Sequence, residues 1–251
     1  TDSTASKSSL SVSDLFQQVE AVEVEAATKP LSPESTVALY NDYIEAVFTT
    51  RGGAIQTVSF LQTKSGERDD YVFNKGGLLP ALSLSLNSAD GEIREFDLDY
   101  RIEQQSSDSV TFVLDGGEGL SIRRHYRIAS TGSVDEPYTI EHSTTFKNNS
   151  GSAKALSTIY FNLGTARPIT EEMIGVNFLN VGYFDGQDAE FIPIKKLTGG
   201  KGFLGIGASN PKDVIAEAAR IEWSSVKNQF FASVLSSGTV ANSVFVYPVE
   251  A

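Results

Sequence analysis

Leu120-Ser121-Ile122-Arg123-Arg124-His125-Tyr126-Arg127-Ile128 alternates along its length, with Leu120, Ile122, Tyr126 and Ile128 on one side and Ser121, Arg123, His125 and Arg127 on the other. A period of two is the spacing of a strand with one buried face, whereas a helix repeats its apolar positions every ~3.6 residues. The same period recurs outward from this stretch. Leu82, Leu84 and Leu86 alternate with Ser83 and Ser85, and Phe96, Leu98, Tyr100 and Ile102 alternate with Asp97, Asp99 and Arg101. Further strands are expected over 43–50, 54–62, 110–114, 138–146 and 155–163. Turn-forming phrases separate them: Ala89-Asp90-Gly91, Asp115-Gly116-Gly117, Ser130-Thr131-Gly132 and Asn148-Asn149-Ser150-Gly151. Many strands at short spacing with few helices predict an all-β chain of antiparallel strands, a large β-sandwich.

The chain is long enough, at 251 residues with 40% hydrophobic residues, to bury a core as one large β domain or two smaller ones. Its formal charge of −12 argues against a nucleic-acid partner, because binding to a phosphate backbone needs Lys and Arg patches. An acidic surface also keeps a protein off anionic lipid headgroups. There is no Cys, which excludes catalytic thiols, disulfides and Cys-based zinc sites. No run approaches the roughly 18–20 apolar residues that span a bilayer. The first residue is Thr1 and the lone Met is Met173, the expectation being a processed product or an excised piece.

Residues 1–36 are rich in Ser, Thr, Ala, Glu and Val and bury too little apolar area to offset their ordering entropy. They are expected to form a tether with one marginal helix over 13–19, followed by a β domain over 37–251. After Arg167 the pattern is less regular. Strands are expected over 176–184, 189–194 and 230–235, a helix over 211–219 capped by Asn210 with Pro211 at its first position, and a helical turn over 224–228.

Chemistry-bearing residues are few. His125 shares a face with the polar set of its strand and is expected to be solvated. His142 shares parity with Tyr138, Ile140, Thr144 and Phe146, which makes it a core histidine or, with a carboxylate from elsewhere, a base in a ligand groove. Asp97 and Asp99 are expected on an outward face rather than around a cation. Gly199-Gly200-Lys201-Gly202-Phe203-Leu204-Gly205-Ile206-Gly207 lacks the Gly-Lys-Ser/Thr phrase and the βαβ setting of a phosphate loop. It reads as a surface loop whose Phe203, Leu204 and Ile206 are candidate partner contacts. No Gly-x-Ser-x-Gly elbow occurs, and no cofactor or metal site is expected.

Two phrases at opposite ends of the β region carry a family resemblance. Thr49-Thr50-Arg51-Gly52-Gly53-Ala54-Ile55 joins two expected strands through a turn that needs glycine, and Trp223 precedes Gln229-Phe230-Phe231-Ala232 at a fixed interval. Together with the pattern over 120–149, they resemble the periplasmic domain of the YidC membrane protein insertases, over most of residues 41–235. The resemblance implies a β-supersandwich similar to that of galactose mutarotases. It implies structural roles for Arg51, Gly52, Gly53, Trp223, Phe230 and Phe231, with Phe230 and Phe231 on opposite faces of one strand. It also implies a location on the periplasmic face of the bacterial inner membrane, attachment through helices outside this chain, and further strands beyond Ala251. The segment near 199–210 departs from the family pattern as an insertion.

On this resemblance the function is accessory and non-enzymatic: binding and positioning in support of membrane protein insertion, with the Sec translocon's SecDF component and nascent membrane proteins as partners. A carbohydrate-binding or mutarotase-like enzyme on the same fold is the alternative, and it requires an acid and a base converging on one cleft, such as His142 with a Glu.

Overall fold

The computed structural model describes residues 16–17, 33–61, 71–87, 93–95, 98–117, 119–156, 158–169, 176–199 and 209–249. The chain forms two compact units, one of residues 1–72 and 79–162 and one of residues 73–78 and 163–251.

In the first unit the strands are β1 (Phe16–Gln17), β2 (Thr36–Tyr40), β3 (Ile44–Thr49), β4 (Ala54–Phe60) and β5 (Val72–Phe73, whose second residue already belongs to the second unit). They continue with β6 (Leu84–Asn87), β7 (Ile93–Glu95), β8 (Arg101–Gln105), β9 (Ser109–Gly117), β10 (Leu120–Ile128), β11 (Ile140–Asn148), β12 (Ala155–Leu156) and β13 (Ile159–Phe161). The sheets run β2-β3-β4-β5, β11-β10-β9-β8, β13-β6-β7 and β1-β12. The pairs within them are antiparallel throughout the described ladders.

β10 shows why the alternation forms a sheet. Its even-numbered residues, Leu120 to Ile128, are all buried, and its odd-numbered residues are half-buried or exposed. Tyr126 from this strand packs on Phe48 of β3 with ring centroids 4.9 Å apart and on Phe112 of β9 at 6.2 Å. The Phe48 contact joins the apolar faces of the first two sheets, which is the way half-apolar sheets remove their surface from water, and the Phe112 contact lies within one of them. Asn41 closes the β2–β3 turn. Its Oδ1 accepts from the Tyr43 and Ile44 amides, and its Nδ2 donates to the carbonyls of Ala129 and Pro137.

The second unit is a sheet of order β15-β14-β16-β17, formed by β14 (Asn180–Phe184), β15 (Ala189–Pro193), β16 (Ile215–Lys227) and β17 (Ala232–Val246), with a helical turn α1 (Lys195–Thr198) after β15. Its core consists of Tyr183, Ile192, Leu197, Ile215, Ile221, Val244 and Val246.

The all-β class holds, but several local expectations are corrected. Phe16–Gln17, inside the helix expected over 13–19, is a strand paired with Ala155–Leu156; the rest of that segment lies outside the described residues. The helix expected over 211–219 and the helical turn over 224–228 are both replaced by β16, which exchanges ladder hydrogen bonds with β14 and β17. Ala216, Glu217, Ala218 and Ala219 favour a helix locally, but the ladder that 215–218 form with β17 outweighs a propensity of a few tenths of a kcal/mol per residue. Trp223 therefore lies within a strand rather than before one. The strand expected to start at residue 230 starts at Ala232. Of the expected strand at Phe96 to Ile102, residues 98–100 hold only an isolated bridge from Asp99 to Arg51, and β8 begins at Arg101. The strand expected over 155–163 is broken into β12 and β13.

Candidate functional site

The densest group of buried polar atoms in the first unit is built around Arg124, which has no exposed surface. It stands at an even position of β10, so the pleat that carries Ile122 and Tyr126 into the core carries the guanidinium there too. Every nitrogen of the fork is used. Nη1 donates to the Gly52 carbonyl at 2.7 Å, Nη2 donates to the Leu82 carbonyl and to His142 Nε2 at 3.2 Å, and Nε donates to Thr144 Oγ1 at 3.3 Å. The guanidinium carbon also lies 5.6 Å from the centre of the Tyr126 ring. Tyr126 completes the clamp by donating its hydroxyl to the Gly53 carbonyl at 2.8 Å.

These bonds converge on the turn of the first sequence phrase. Gly52 and Gly53 have φ of +70° and +54°, the left-handed region that L side chains occupy only at a cost. The turn is held from the other side by two backbone bonds, Gly52 N to Leu98 O and Tyr100 N to Thr50 O, each 2.8 Å. Arg51 ion-pairs with Asp99 at 3.5 Å. Leu82, whose carbonyl Arg124 also holds, is one of the few non-glycine residues at positive φ, 65°.

His142 lies on β11 across from Tyr126 and stacks on its ring, with centroids 4.6 Å apart and planes 29° from parallel. A guanidinium can only donate, so Nε2 is an acceptor; it takes a second bond from the Thr144 hydroxyl at 2.9 Å, and the proton of the neutral ring sits on Nδ1. Desolvation first, then the positive charge of Arg124 and the proximity of His125, lower the His142 pKa to about 3. The ring is thus neutral near pH 7, and its bonded partners are a cation and a hydroxyl rather than the carboxylate that a general base would use for orientation. His125 is half-buried rather than fully solvated and bonds Thr111 Oγ1 through Nδ1 at 2.9 Å.

The His142 arrangement gives a pH prediction. Its folded-state pKa lies below the unfolded value of 6.5, so between about pH 6.5 and about pH 3 the unfolded chain binds a proton that the folded chain refuses. Stability from this group is therefore complete above the unfolded pKa and falls as pH drops, by at most about 1.4 kcal/mol per pH unit. Urea denaturation of wild type and His142→Gln at several pH values is expected to give a shallower acid slope in the variant. Parallel slopes would contradict the half-buried, neutral ring.

In the second unit, Trp223 stacks on Phe184 with centroids 5.9 Å apart and planes 12° from parallel. Phe191 lies over Gly182, where a Cβ would meet its ring at 2.8 Å, and carries the Lys227 ammonium 5.1 Å from the ring centre. The expectation that Phe230 and Phe231 share a strand with one in the core is corrected. Both lie in the β16–β17 hairpin loop, and Phe230 is 69% exposed. Asn228 makes that loop: its Oδ1 accepts from the Phe230 and Phe231 amides, so the phenylalanines follow an Asx turn instead of a pleat. Phe203, Leu204 and Ile206 lie outside the described residues, as does Asp97.

The structure brings Gly52 and Gly53 into the Arg124 clamp with His142, pairs Arg51 beside them with Asp99, and places Trp223, Phe230 and Phe231 in the second unit. Arg124, Tyr126 and Asn228 are the residues that sequence reasoning passed over. Parity alone puts Arg124 and Tyr126 on the same face, which was the available signal. No group of three or more His, Asp or Glu able to hold a metal occurs among the described residues.

No family model matches the chain, and no curated protein matches it by sequence. Two solved structures are similar. One is a putative aldose 1-epimerase from Escherichia coli K12, at 11% identity and a TM-score of 0.50, over 86% of this chain and 81% of that one. The other is a galactose mutarotase related enzyme from Lactobacillus acidophilus, at 13% identity and a TM-score of 0.46, over 84% of each chain. The chain thus has an all-β fold of the galactose mutarotase-like kind. The expectation of a non-enzymatic chain is corrected to this extent: the structure from Escherichia coli that shares its fold is named a putative aldose 1-epimerase.

Proposed function

We propose that the chain is the periplasmic domain of a YidC-type membrane protein insertase, a module that binds and positions partners of the Sec translocon during membrane protein insertion. The observation that carries this reading is how the first phrase of the resemblance is used: the Gly52 and Gly53 carbonyls are held by the buried Arg124 and Tyr126 of another sheet, and the Thr50 carbonyl by the Tyr100 amide. A phrase with that role is a mark of the domain's architecture, and the mutarotase-like fold is the one the resemblance implies.

A second reading, carbohydrate binding or mutarotase-like chemistry, is favoured by the fold likeness taken alone, since the structure from Escherichia coli is named a putative aldose 1-epimerase. His142, the base this reading named, is stacked on Tyr126 with its Nε2 lone pair engaged by Arg124 and Thr144, so the chemistry would have to use other residues. Two titrations of the purified chain separate the readings. The insertase reading expects saturable binding to purified SecDF and no heat of binding with galactose or glucose. Micromolar saccharide binding without SecDF binding would replace it with the second.

A further inference from the structure

The interior around Arg124 holds more hydrogen-bond donors than its bonds use. A guanidinium has five N–H groups, and the bonds to Gly52, Leu82, His142 and Thr144 take four of them, which leaves one on Nη1. Two buried hydroxyls have no hydrogen-bond partner among the described residues: Ser83, 4% exposed, and Tyr100, 3% exposed. Both stand against the turn that Arg124 holds. Ser83 follows Leu82, whose carbonyl accepts from Nη2, and its Cβ is 3.5 Å from the point where a Cβ on Gly52 would lie. The Tyr100 ring comes within 2.8 Å of the corresponding point on Gly53. Burial raises the Tyr100 pKa to about 12 and the Arg124 charge acts against that rise, so the hydroxyl keeps its proton at neutral pH and stands in the field of the guanidinium.

The same place carries an unbalanced positive charge. The four bonded partners of Arg124 are two carbonyls, a hydroxyl and an imidazole, and the carboxylate beside the turn, Asp99, is paired with Arg51. Carbonyl dipoles offset part of the cost of a buried cation, but a cation out of water is fully offset only by an anion. A small anion accepts hydrogen bonds from hydroxyls and guanidinium alike and supplies the missing charge. We propose that Ser83 Oγ, the Tyr100 hydroxyl and the remaining Nη1–H of Arg124 bind one halide-sized anion, chloride in ordinary salt, behind the Gly52–Gly53 turn. The close approach of the Tyr100 ring to the turn favours a monatomic ion over phosphate or sulfate. The inference holds under either reading of the protein's function.

The test compares the whole chain in sodium chloride and sodium gluconate at equal ionic strength, so that general screening is common to both. Chloride is expected to raise the urea midpoint of the first unit, followed by exchange of the β3 and β10 amides, in proportion to the logarithm of its concentration, and gluconate is not. Ser83→Ala and Tyr100→Phe each remove one donor that has no other bond, so both variants are expected to be folded in gluconate and to bind chloride about tenfold more weakly than wild type. Crystals soaked in sodium bromide locate the ion: an anomalous-scattering peak is expected within hydrogen-bond distance of Ser83 Oγ and the Tyr100 hydroxyl. The proposal is overturned by an ordered water only at that place in the bromide crystals, by equal midpoints in chloride and gluconate, or by a chloride effect that both variants keep in full.

Discussion

Arg124→Met is expected to lower the unfolding free energy of the first unit by about 3–5 kcal/mol, the range for removing one partner of a buried charged hydrogen-bond network. Methionine fills much the same space, so the loss comes from hydrogen bonding rather than from a cavity. The carbonyls of Gly52 and Leu82 would be left without the donors that hold them, and both belong to backbone in the left-handed region. Leu82 would then relax away from a conformation that costs roughly 1–2 kcal/mol for an L residue. Arg124→Lys keeps the charge but not the fork, and is expected to fall between wild type and Arg124→Met. Trp223 lies in the second unit, so its fluorescence does not report on this change. Exchange of the β3 and β10 amides does, with urea dependence giving the free energy. A loss below about 1 kcal/mol would mean that the clamp contributes little.

Gly53→Ala is expected to cost about 2–4 kcal/mol, against about 1–2 kcal/mol for Gly132→Ala. Both glycines have positive φ, +54° and +83°, so each substitution carries a similar conformational penalty. They differ in what the new Cβ meets. At Gly132 nothing lies within 4 Å, whereas at Gly53 the Cβ would stand 2.8 Å from Tyr100 Cγ and 2.9 Å from Cδ1. Tyr100 is buried, and its amide is bonded to Thr50, which leaves the ring little room to withdraw. A double-mutant cycle with Tyr100→Leu isolates the steric part: in that background the cost of Gly53→Ala is expected to approach that of Gly132→Ala. Equal costs for the two alanine substitutions in wild type would remove the close approach as the reason for glycine at 53.

The two variants probe opposite sides of one joint, and only one side was legible in the sequence. Glycines after Thr50-Arg51 signal a turn because few other residues adopt its backbone angles. The cation that fixes the turn stands 72 residues away in sequence from Gly52 and 42 from Leu82, and its neighbours on β10, Arg123 and His125, are polar residues on the opposite face of the strand. Charge suggested surface for Arg124 where parity indicated core. Asn228 was missed for a similar reason: an apolar Phe-Phe-Ala phrase reads as strand until an Asn one turn earlier is seen to hold both phenylalanine amides.

The sequence by itself determined the all-β class, the extent of β10 and the glycine turns at 52–53, 132 and 151, because one-sided burial and positive φ are properties of a few consecutive residues, whereas the turn expected at Asp115-Gly116-Gly117 is the end of β9. Tertiary structure decided that 215–227 is a strand, that a guanidinium lies in the core, and that His142 is neutral. Each of these depends on partners brought in by the fold: the β17 ladder that outweighs helix propensity over 215–218, two backbone carbonyls that solvate a buried cation, and that cation beside an imidazole. No local pattern encodes a hydrogen-bond acceptor that the fold supplies from another sheet.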